Sequence, residues 1–215
     1  MQLLLCASTE FEIRPVIEFV QREKVQNVDV LITGVGMMAT TYSLTKAILR
    51  KRPDFVLQAG IAGSLDENLP LTKVVLVENE NIGDLGVLDS GTFKTLFDLT
   101  LLDKTSFPWN NGKLSNNVQS LKSTGLKIVD GVTVNEISTN KNRIAYYKNQ
   151  LNASVESMEG AAIHYVALQE NLRFLQMRSL SNFVGERDKT KWVIDVAVTN
   201  LNAELMRIII KLLNV

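Results

Sequence analysis

The segment from Val155 to Trp192 constrains the chain most. It opens Val155-Glu156-Ser157-Met158-Glu159-Gly160-Ala161-Ala162 and continues as a helix-like run to Gln169. A strand-like run from Phe174 to Leu180 follows. The segment closes Ser181-Asn182-Phe183-Val184-Gly185-Glu186-Arg187-Asp188-Lys189-Thr190-Lys191-Trp192. A short strand, a helix and an apolar strand in that order make a βα unit, the repeat from which α/β sheets are built. Glu159 then opens a helix just after one strand, and the pair Ser181-Asn182 sits where the next strand ends. In such folds ligands collect at strand ends, because loops there can be polar while the sheet stays apolar. The two groups can therefore face one pocket from consecutive units.

The rest of the chain reads the same way. Gln2 to Ala7 is an apolar strand, Ser8 to Arg14 a polar turn, and Pro15 to Arg22 a helix. Thr9 and Glu12 have capping-box spacing. A helix capped at Thr9 would, however, carry Pro15 beyond its first turn, where proline clashes and loses a hydrogen bond. A start near Glu12 is expected instead. Val28 to Thr33 is a second strand, and Gly34-Val35-Gly36-Met37-Met38-Ala39 leads into a helix-like run to Arg52. That glycine pattern matches the dinucleotide-binding fingerprint, which needs an acidic residue at the far end of the next strand. Asp54 precedes the strand Phe55 to Ala59, at its wrong end, so the dinucleotide reading ranks low. Ala59 to Ser64 reads as a second glycine turn and Val74 to Glu78 as a strand. Asn79 to Trp109 is a polar-apolar mixture, and Asn110 to Asn117 reads as a surface loop. Leu126 to Val129 and Gly131 to Val134 form one strand or a bent pair. The last helix, from Trp192 or Val193 to Leu213, is apolar but interrupted by Asp195, Glu204 and Arg207, so it packs on the sheet. No repeat or linker divides the chain, and one domain over residues 1–215 is expected.

Composition narrows the function. Lys plus Arg and Asp plus Glu are balanced at 23 each, which argues against a nucleic-acid platform or an anionic-membrane binder. The single cysteine, Cys6, permits no internal disulfide. The single histidine, His164, leaves no His cluster for a metal and weakens any triad. Both read as ordinary packing or surface residues. No apolar run is long enough to span a bilayer, and Met1 to Cys6 reads as a first strand rather than a signal peptide. A cytoplasmic enzyme is expected.

The segment from Val155 resembles the nucleoside phosphorylase and nucleosidase superfamily, whose members carry a Val-Glu-Met-Glu-like motif and a later Ser-Asp or Ser-Asn pair. Within it, Ser181-Asn182 followed by Val-Gly-x-Arg-Asp-x-x-x-Trp is most similar to the futalosine hydrolases, the purine nucleosidases of the alternative menaquinone route. The resemblance implies an α/β fold with a mixed, twisted central sheet flanked by helices. It implies hydrolysis of an N-ribosidic bond, a small-molecule purine nucleoside as substrate, no metal or organic cofactor, and a homo-oligomer. Residue by residue, Glu12 falls where the family has its water-activating Glu, and Glu159 where it holds the ribose hydroxyls. Met158 would pack under the ribose. Asn182, beside Ser181, would hydrogen-bond the purine. Gly60 and Ile61 belong to the loop lining the ribose and water side. Thr133-Val134-Asn135-Glu136-Ile137 matches the segment against the base, with Ile137 in place of a stacking Phe. Arg187, with Lys189 behind it, would meet the 5′ substituent. Glu156 would support the turn before Glu159, and Arg178 would pair with a nearby carboxylate. Phosphorylases place an Arg near the Gly60–Gly63 loop. None stands here: Lys46, Arg50, Lys51 and Arg52 are on or ending the preceding helix and read as a solvated face, so hydrolysis is expected over phosphorolysis. A methylthioadenosine/adenosylhomocysteine or other purine nucleosidase is the alternative, and a dinucleotide-binding or non-catalytic protein comes third. Taken singly, Glu159 could serve only the helix dipole, and Ser181-Asn182 could only cap a turn.

Overall fold

The apolar strands near the start of the chain show how the layers form. Successive side chains of a strand point to opposite faces. In β1 (Leu3–Ala7), Leu3, Leu5 and Ala7 enter one buried cluster, while Leu4 and Cys6 enter another. A strand buried on both sides must lie inside a sheet with helices on each face. The computed structural model describes residues 1–116 and 123–213. After β1 come α1 (Glu10–Arg22), β2 (Val28–Ile32), α2 (Met37–Arg50), β3 (Phe55–Ser64), β4 (Val74–Ile82), β5 (Gly86–Asp89) and β6 (Thr92–Thr95). These are followed by β7 (Trp109–Asn110), β8 (Lys113–Ser115), β9 (Lys127–Thr133), α3 (Lys141–Asn149), β10 (Val155–Ser157), α4 (Gly160–Gln169), β11 (Arg173–Phe183) and α5 (Ile194–Leu213). α1 and α5 cover one face, where Ile13, Val16, Leu201, Leu205 and Ile209 meet Leu3, Leu5 and Leu57. α2 and α4 cover the other, where Leu44, Ile48, Ile163 and Ala167 meet Leu4, Cys6 and Val56.

The sheet is mixed, as the resemblance implies. β1 pairs in parallel with β2 and β3. β3 pairs with β11 in parallel and with β10 antiparallel. β11 is antiparallel to β4, β4 is parallel to β9, and β9 is parallel to β10. The strands β3, β11, β4, β9 and β10 therefore close a ring, filled by Ala62, Val75, Val77, Val129, Val155 and Leu180. Closure removes free edges in this part of the sheet and brings the ends of β3, β10 and β11 together.

Several expectations are corrected. α1 does begin at Glu10 with Thr9 as its N-cap, and the Thr9–Glu12 capping box forms. Pro15 then lies in the second turn. The carboxamide of Asn202, buried in α5, takes over part of the ladder there: its Oδ1 accepts from Val16 N–H at 3.1 Å and its Nδ2 donates to Glu12 C=O at 2.8 Å. A side chain from a distant helix thus replaces the bond between residues 12 and 16. Ala59 to Ser64 is not a turn but the second half of β3, paired to β11 throughout. Its glycines serve close approach, not backbone reversal. Ser181-Asn182 likewise lies inside β11, at a register shift between Leu180 and Asn182, rather than after the strand. α2 ends at Arg50, β4 runs on to Ile82, and β9 is one strand. The expected loop from Asn110 contains a small hairpin, β7–β8, turning at Asn111-Gly112, both at positive φ. The last residue of that loop, 117, lies outside the described residues. α3 was not anticipated. Its sequence has weak apolar periodicity and a start fixed by the Asn140 side chain, which accepts from Asn142 and Arg143 N–H. Of the two placements open to Cys6 and His164, packing or surface, both take the first and are fully buried. Burial pushes the Cys6 thiol up to about 12 and the His164 imidazole down to about 4. Among the described residues no helix is long and apolar enough to cross a membrane.

Candidate active site

Glu12 reaches the site because the capping box fixes the first turn of α1 over the end of β1. Its Oε2 accepts from Ser8 Oγ at 2.6 Å, Thr9 Oγ1 at 2.9 Å and Thr9 N–H at 3.0 Å. Its Oε1 accepts only from Ile61 N–H, at 3.0 Å. An ionised carboxylate has about four lone-pair sites, so Oε1 is the oxygen with capacity left for a further donor. The cap and the site are one arrangement, not alternatives.

Glu159 is the N-cap residue of α4, yet its side chain does not cap that helix. Oε1 accepts from Gly36 N–H at 3.1 Å, and Oε2 lies 3.4 Å from both Nη1 and Nη2 of Arg178. Gly36 has φ +91°, a conformation that side chains rarely adopt, and this turns its N–H toward the carboxylate. Arg178 is 1% exposed; its expected carboxylate partner is Glu159. Its Nη1 also donates to Ile61 C=O at 3.3 Å. A Cβ on Gly60 would come within 2.5 Å of Arg178 Nη1 and 2.9 Å of Glu12 Oε1. Gly60 is therefore the spacer that lets the two charged groups approach β3 from behind. An arginine does reach the Gly60–Gly63 strand in space, from β11, but it is buried and paired.

Glu12, Ile61, Ile137, Met158, Glu159, Ser181, Asn182 and Arg187 all line one cavity of about 380 Å³ at these strand ends. Gly60 does not line it but lies directly behind Ile61, and Lys189 is not part of the wall. Asn182 Oδ1 accepts from Ser181 Oγ at 2.9 Å and its Nδ2 donates to Phe183 C=O at 3.0 Å. One N–H of that amide is left for a ligand. Arg187 sits on the rim with its guanidinium carbon 5.5 Å from the centre of the Trp192 ring, a cation–π contact. Its loop is tied by Lys191 Nζ to Glu186 at 2.7 Å and by Trp192 Nε1 to Glu186 C=O at 3.2 Å. Asp54 accepts from Gln2 N–H before β3, at the opposite end of the sheet. Phe11, Val184, Trp192 and Glu156 also line the cavity. Trp192 and Glu156 lie within the motifs that frame the segment. Phe11 had no signal in the sequence, since an aromatic residue after a capping position is equally an exposed helix residue. Four carboxylates, Glu12, Glu156, Glu159 and Glu186, face this space, and among the described residues Arg187 is the one cation lining it. Such a field suits a ligand that gains positive charge and disfavours a free phosphate. No group of three or more potential metal ligands occurs among the described residues.

The fold and these strand-end carboxylates define a class. The chain belongs to the phosphorylase superfamily, whose family model matches residues 4–212. It is 30% identical, over 83% of its length and 80% of the relative's, to the futalosine hydrolase of Thermus thermophilus. In structure it is similar to the futalosine hydrolase of Helicobacter pylori, with a TM-score of 0.82 at 16% identity, covering 98% of each chain. It is equally similar, again at a TM-score of 0.82 and 16% identity, to the 5′-methylthioadenosine/S-adenosylhomocysteine nucleosidase of Helicobacter pylori, covering 98% of this chain and 99% of that one.

Proposed function

We propose that the protein is a purine nucleosidase that hydrolyses the N-ribosidic bond of futalosine, releasing hypoxanthine and dehypoxanthine futalosine for menaquinone biosynthesis. The convergence of Glu12, Glu159 and Asn182 on one cavity, from the ends of β1, β10 and β11, carries this reading. In the reaction the C1′–N9 bond breaks, its electron pair leaves with the purine, which then takes up a proton from solvent, and the ribose becomes oxocarbenium-like. Water then adds to C1′. Glu12 Oε1, with one donor already in place, orients that water and takes its proton; a positioned base typically contributes roughly 10²–10⁴-fold. Glu159 Oε1 accepts from Gly36 N–H alone and has a position left for a ribose hydroxyl, whereas Oε2 already accepts twice from Arg178; the charge of the group stabilises the cation. Met158 packs under the ribose, and Ile61 lines the water side. Ile137 offers the base an apolar wall. Asn182 donates to O6 or N7. Arg187 pairs with the benzoate at the 5′ end of futalosine, since a planar guanidinium suits a carboxylate.

The similarity to the 5′-methylthioadenosine/S-adenosylhomocysteine nucleosidase favours a second reading, in which the substrate is a 6-aminopurine nucleoside. Asn182 in the polar pair weighs against it. The assembly we propose is a homo-oligomer in the cytoplasm; Met38, Tyr42 and Leu49 on the outer face of α2 are the exposed apolar surface that supports it. Chromatography of a nucleoside panel, with and without phosphate, tests the reaction. Free hypoxanthine should appear from futalosine at the same rate without phosphate. A strict phosphate requirement, with ribose 1-phosphate as product, would sink the hydrolytic reading.

A further inference from the structure

A helix leaves its first N–H groups without intrahelical partners, and the N-cap side chain ordinarily satisfies one of them. In α4 the N-cap residue is Glu159, whose carboxylate turns instead to Gly36 and Arg178. Ser157 Oγ accepts from Gly160 N–H at 3.3 Å, and Thr133 Oγ1 accepts from Ala161 N–H at 2.8 Å. The Thr133 hydroxyl in turn donates to Glu80 Oε2 at 3.0 Å, and Gln176 Nε2 donates to Glu80 Oε1 at 2.7 Å. Glu80 is fully buried. It reaches α4 through an irregularity of β4, whose pairing with β9 shifts register between Val77 and Asn79. Such a bulge reverses the alternation of a strand and re-aims its side chains. Glu80 accordingly points to the same side as Val77: a Cβ added to Gly131 would meet Glu80 Oε1 at 2.6 Å and Val77 Cγ1 at 3.0 Å. A Cβ on Gly160, the residue after Glu159, would strike Glu80 Oε1 and Gln176 Nε2. The Glu80 carboxyl thus lies against the backbone that carries Glu159.

We propose that Glu80 is the positioning residue for Glu159: through Thr133 it caps α4 in place of Glu159, and its carboxylate fixes the backbone from which Glu159 reaches the ribose. This rests on the nucleosidase reading and deepens it. A buried carboxyl is a costly way to fill space, and Val75 and Val77 of the same strand fill theirs with apolar side chains. When ionised, Glu80 makes the bond from Thr133 charge-assisted, roughly twice as strong as a neutral one, and it complements the positive end of the α4 dipole. Burial pushes its carboxyl up to about 7, against the lowering by Gln176 and Arg178 of β11 and Thr133 of β9, while Asp130 of β9 adds to the rise. His164, which reaches Gln176 from α4, is pushed down to about 4 by burial and stays uncharged. As pH falls through about 7, Glu80 takes up a proton and its hold on the Glu159 backbone weakens.

The test compares futalosine with its 2′,3′-dideoxy analogue, which has no ribose hydroxyl for Glu159 to hold. The ratio of the two kcat/KM values isolates that contact, because both substrates use Glu12 and its contribution cancels. In wild type the ratio should fall about fivefold as pH is lowered through about 7. Glu80→Gln keeps the size and the hydrogen bonds but carries no charge. Its ratio should stay at the low value at every pH, about fivefold below that of wild type on the alkaline side. A Glu80 that only fills the core would change both substrates equally or neither, so equal ratios in the two proteins overturn the inference. If Glu80→Gln fails to fold, a wild-type ratio that does not move with pH overturns it alone. Absence of purine release from every nucleoside would instead overturn the nucleosidase reading. The affinities of wild type for the same two nucleosides, measured by calorimetry over the same pH range, would then decide the role of Glu80 by the same ratio.

Discussion

The floor and the rim of the cavity are built on different principles. On the floor, Glu12 and Glu159 are each about 5% exposed and held by backbone N–H groups of Ile61 and Gly36. Their supports come from β3 and β11, strands inside the sheet, and from the glycine turn before α2. On the rim, Phe11 and Ile137 are 49% and 47% exposed, and the loop carrying Arg187 is held mainly by its own Glu186 and Trp192. Groups that must meet a transition state within a fraction of an ångström sit where the backbone cannot yield. Groups that only choose among substrates sit where replacement costs the fold little. The proposed chemistry accordingly belongs to the floor and the proposed 5′ selectivity to the rim.

That contrast is most exposed to failure at the two floor carboxylates. Glu12→Gln should cut kcat by roughly 10²–10⁴-fold while barely moving the melting temperature, because Gln can still close a capping box. Glu159→Gln should cut kcat comparably but also destabilise the fold, since it leaves the Arg178 charge buried without its partner. Breaking such a pair typically costs about 3–5 kcal/mol, measurable by denaturant titration. If both variants lost activity only in proportion to stability, the floor would be scaffold and not machinery.

A smaller effect is expected midway between floor and rim. Wild type should prefer futalosine over its 6-amino analogue, and Asn182→Asp should erase or reverse that preference, a change of about tenfold from one buried donor. Paired rate measurements on the two bases check it, and an unchanged ratio would remove Asn182 from base recognition. At the rim the effect should be smallest. Arg187→Ala should raise KM for futalosine by about two- to fivefold, the scale of a solvent-screened ion pair, and leave inosine unchanged. Equal changes on both substrates would move the 5′ contact away from Arg187.

The same division governs what the sequence made legible. The floor carboxylates stand out in the sequence mainly through the family resemblance, since Glu12 alone reads as a cap and Glu159 alone as a helix-dipole carboxylate; that both line one cavity appears only in the fold. The sheet order was not readable, since ring closure depends on pairings such as β3 with β11, more than a hundred residues apart. Gly60 was noticed but misread as a turn. A glycine placed for close approach looks, in one dimension, like a glycine placed for backbone reversal, and only Arg178 arriving from β11 separates the two. α3 was missed because its helix rests on an Asn cap and little apolar periodicity. Glu156 reads in sequence as a turn support, and nothing in its neighbours announces that it accepts from Ser138 N–H.

Asn202 has a consequence for how the chain is made. Its carboxamide completes the second turn of α1, bonding to Val16 and Glu12 across sequence separations of 186 and 190 residues. During synthesis α1 emerges well before α5, and this turn stays open until Asn202 has been translated. At about 5–20 residues per second, the wait is on the order of ten to forty seconds. The residue proposed to activate water leaves the ribosome long before the turn that carries it is locked in place, so a nascent chain carries no competent site before Asn202 docks.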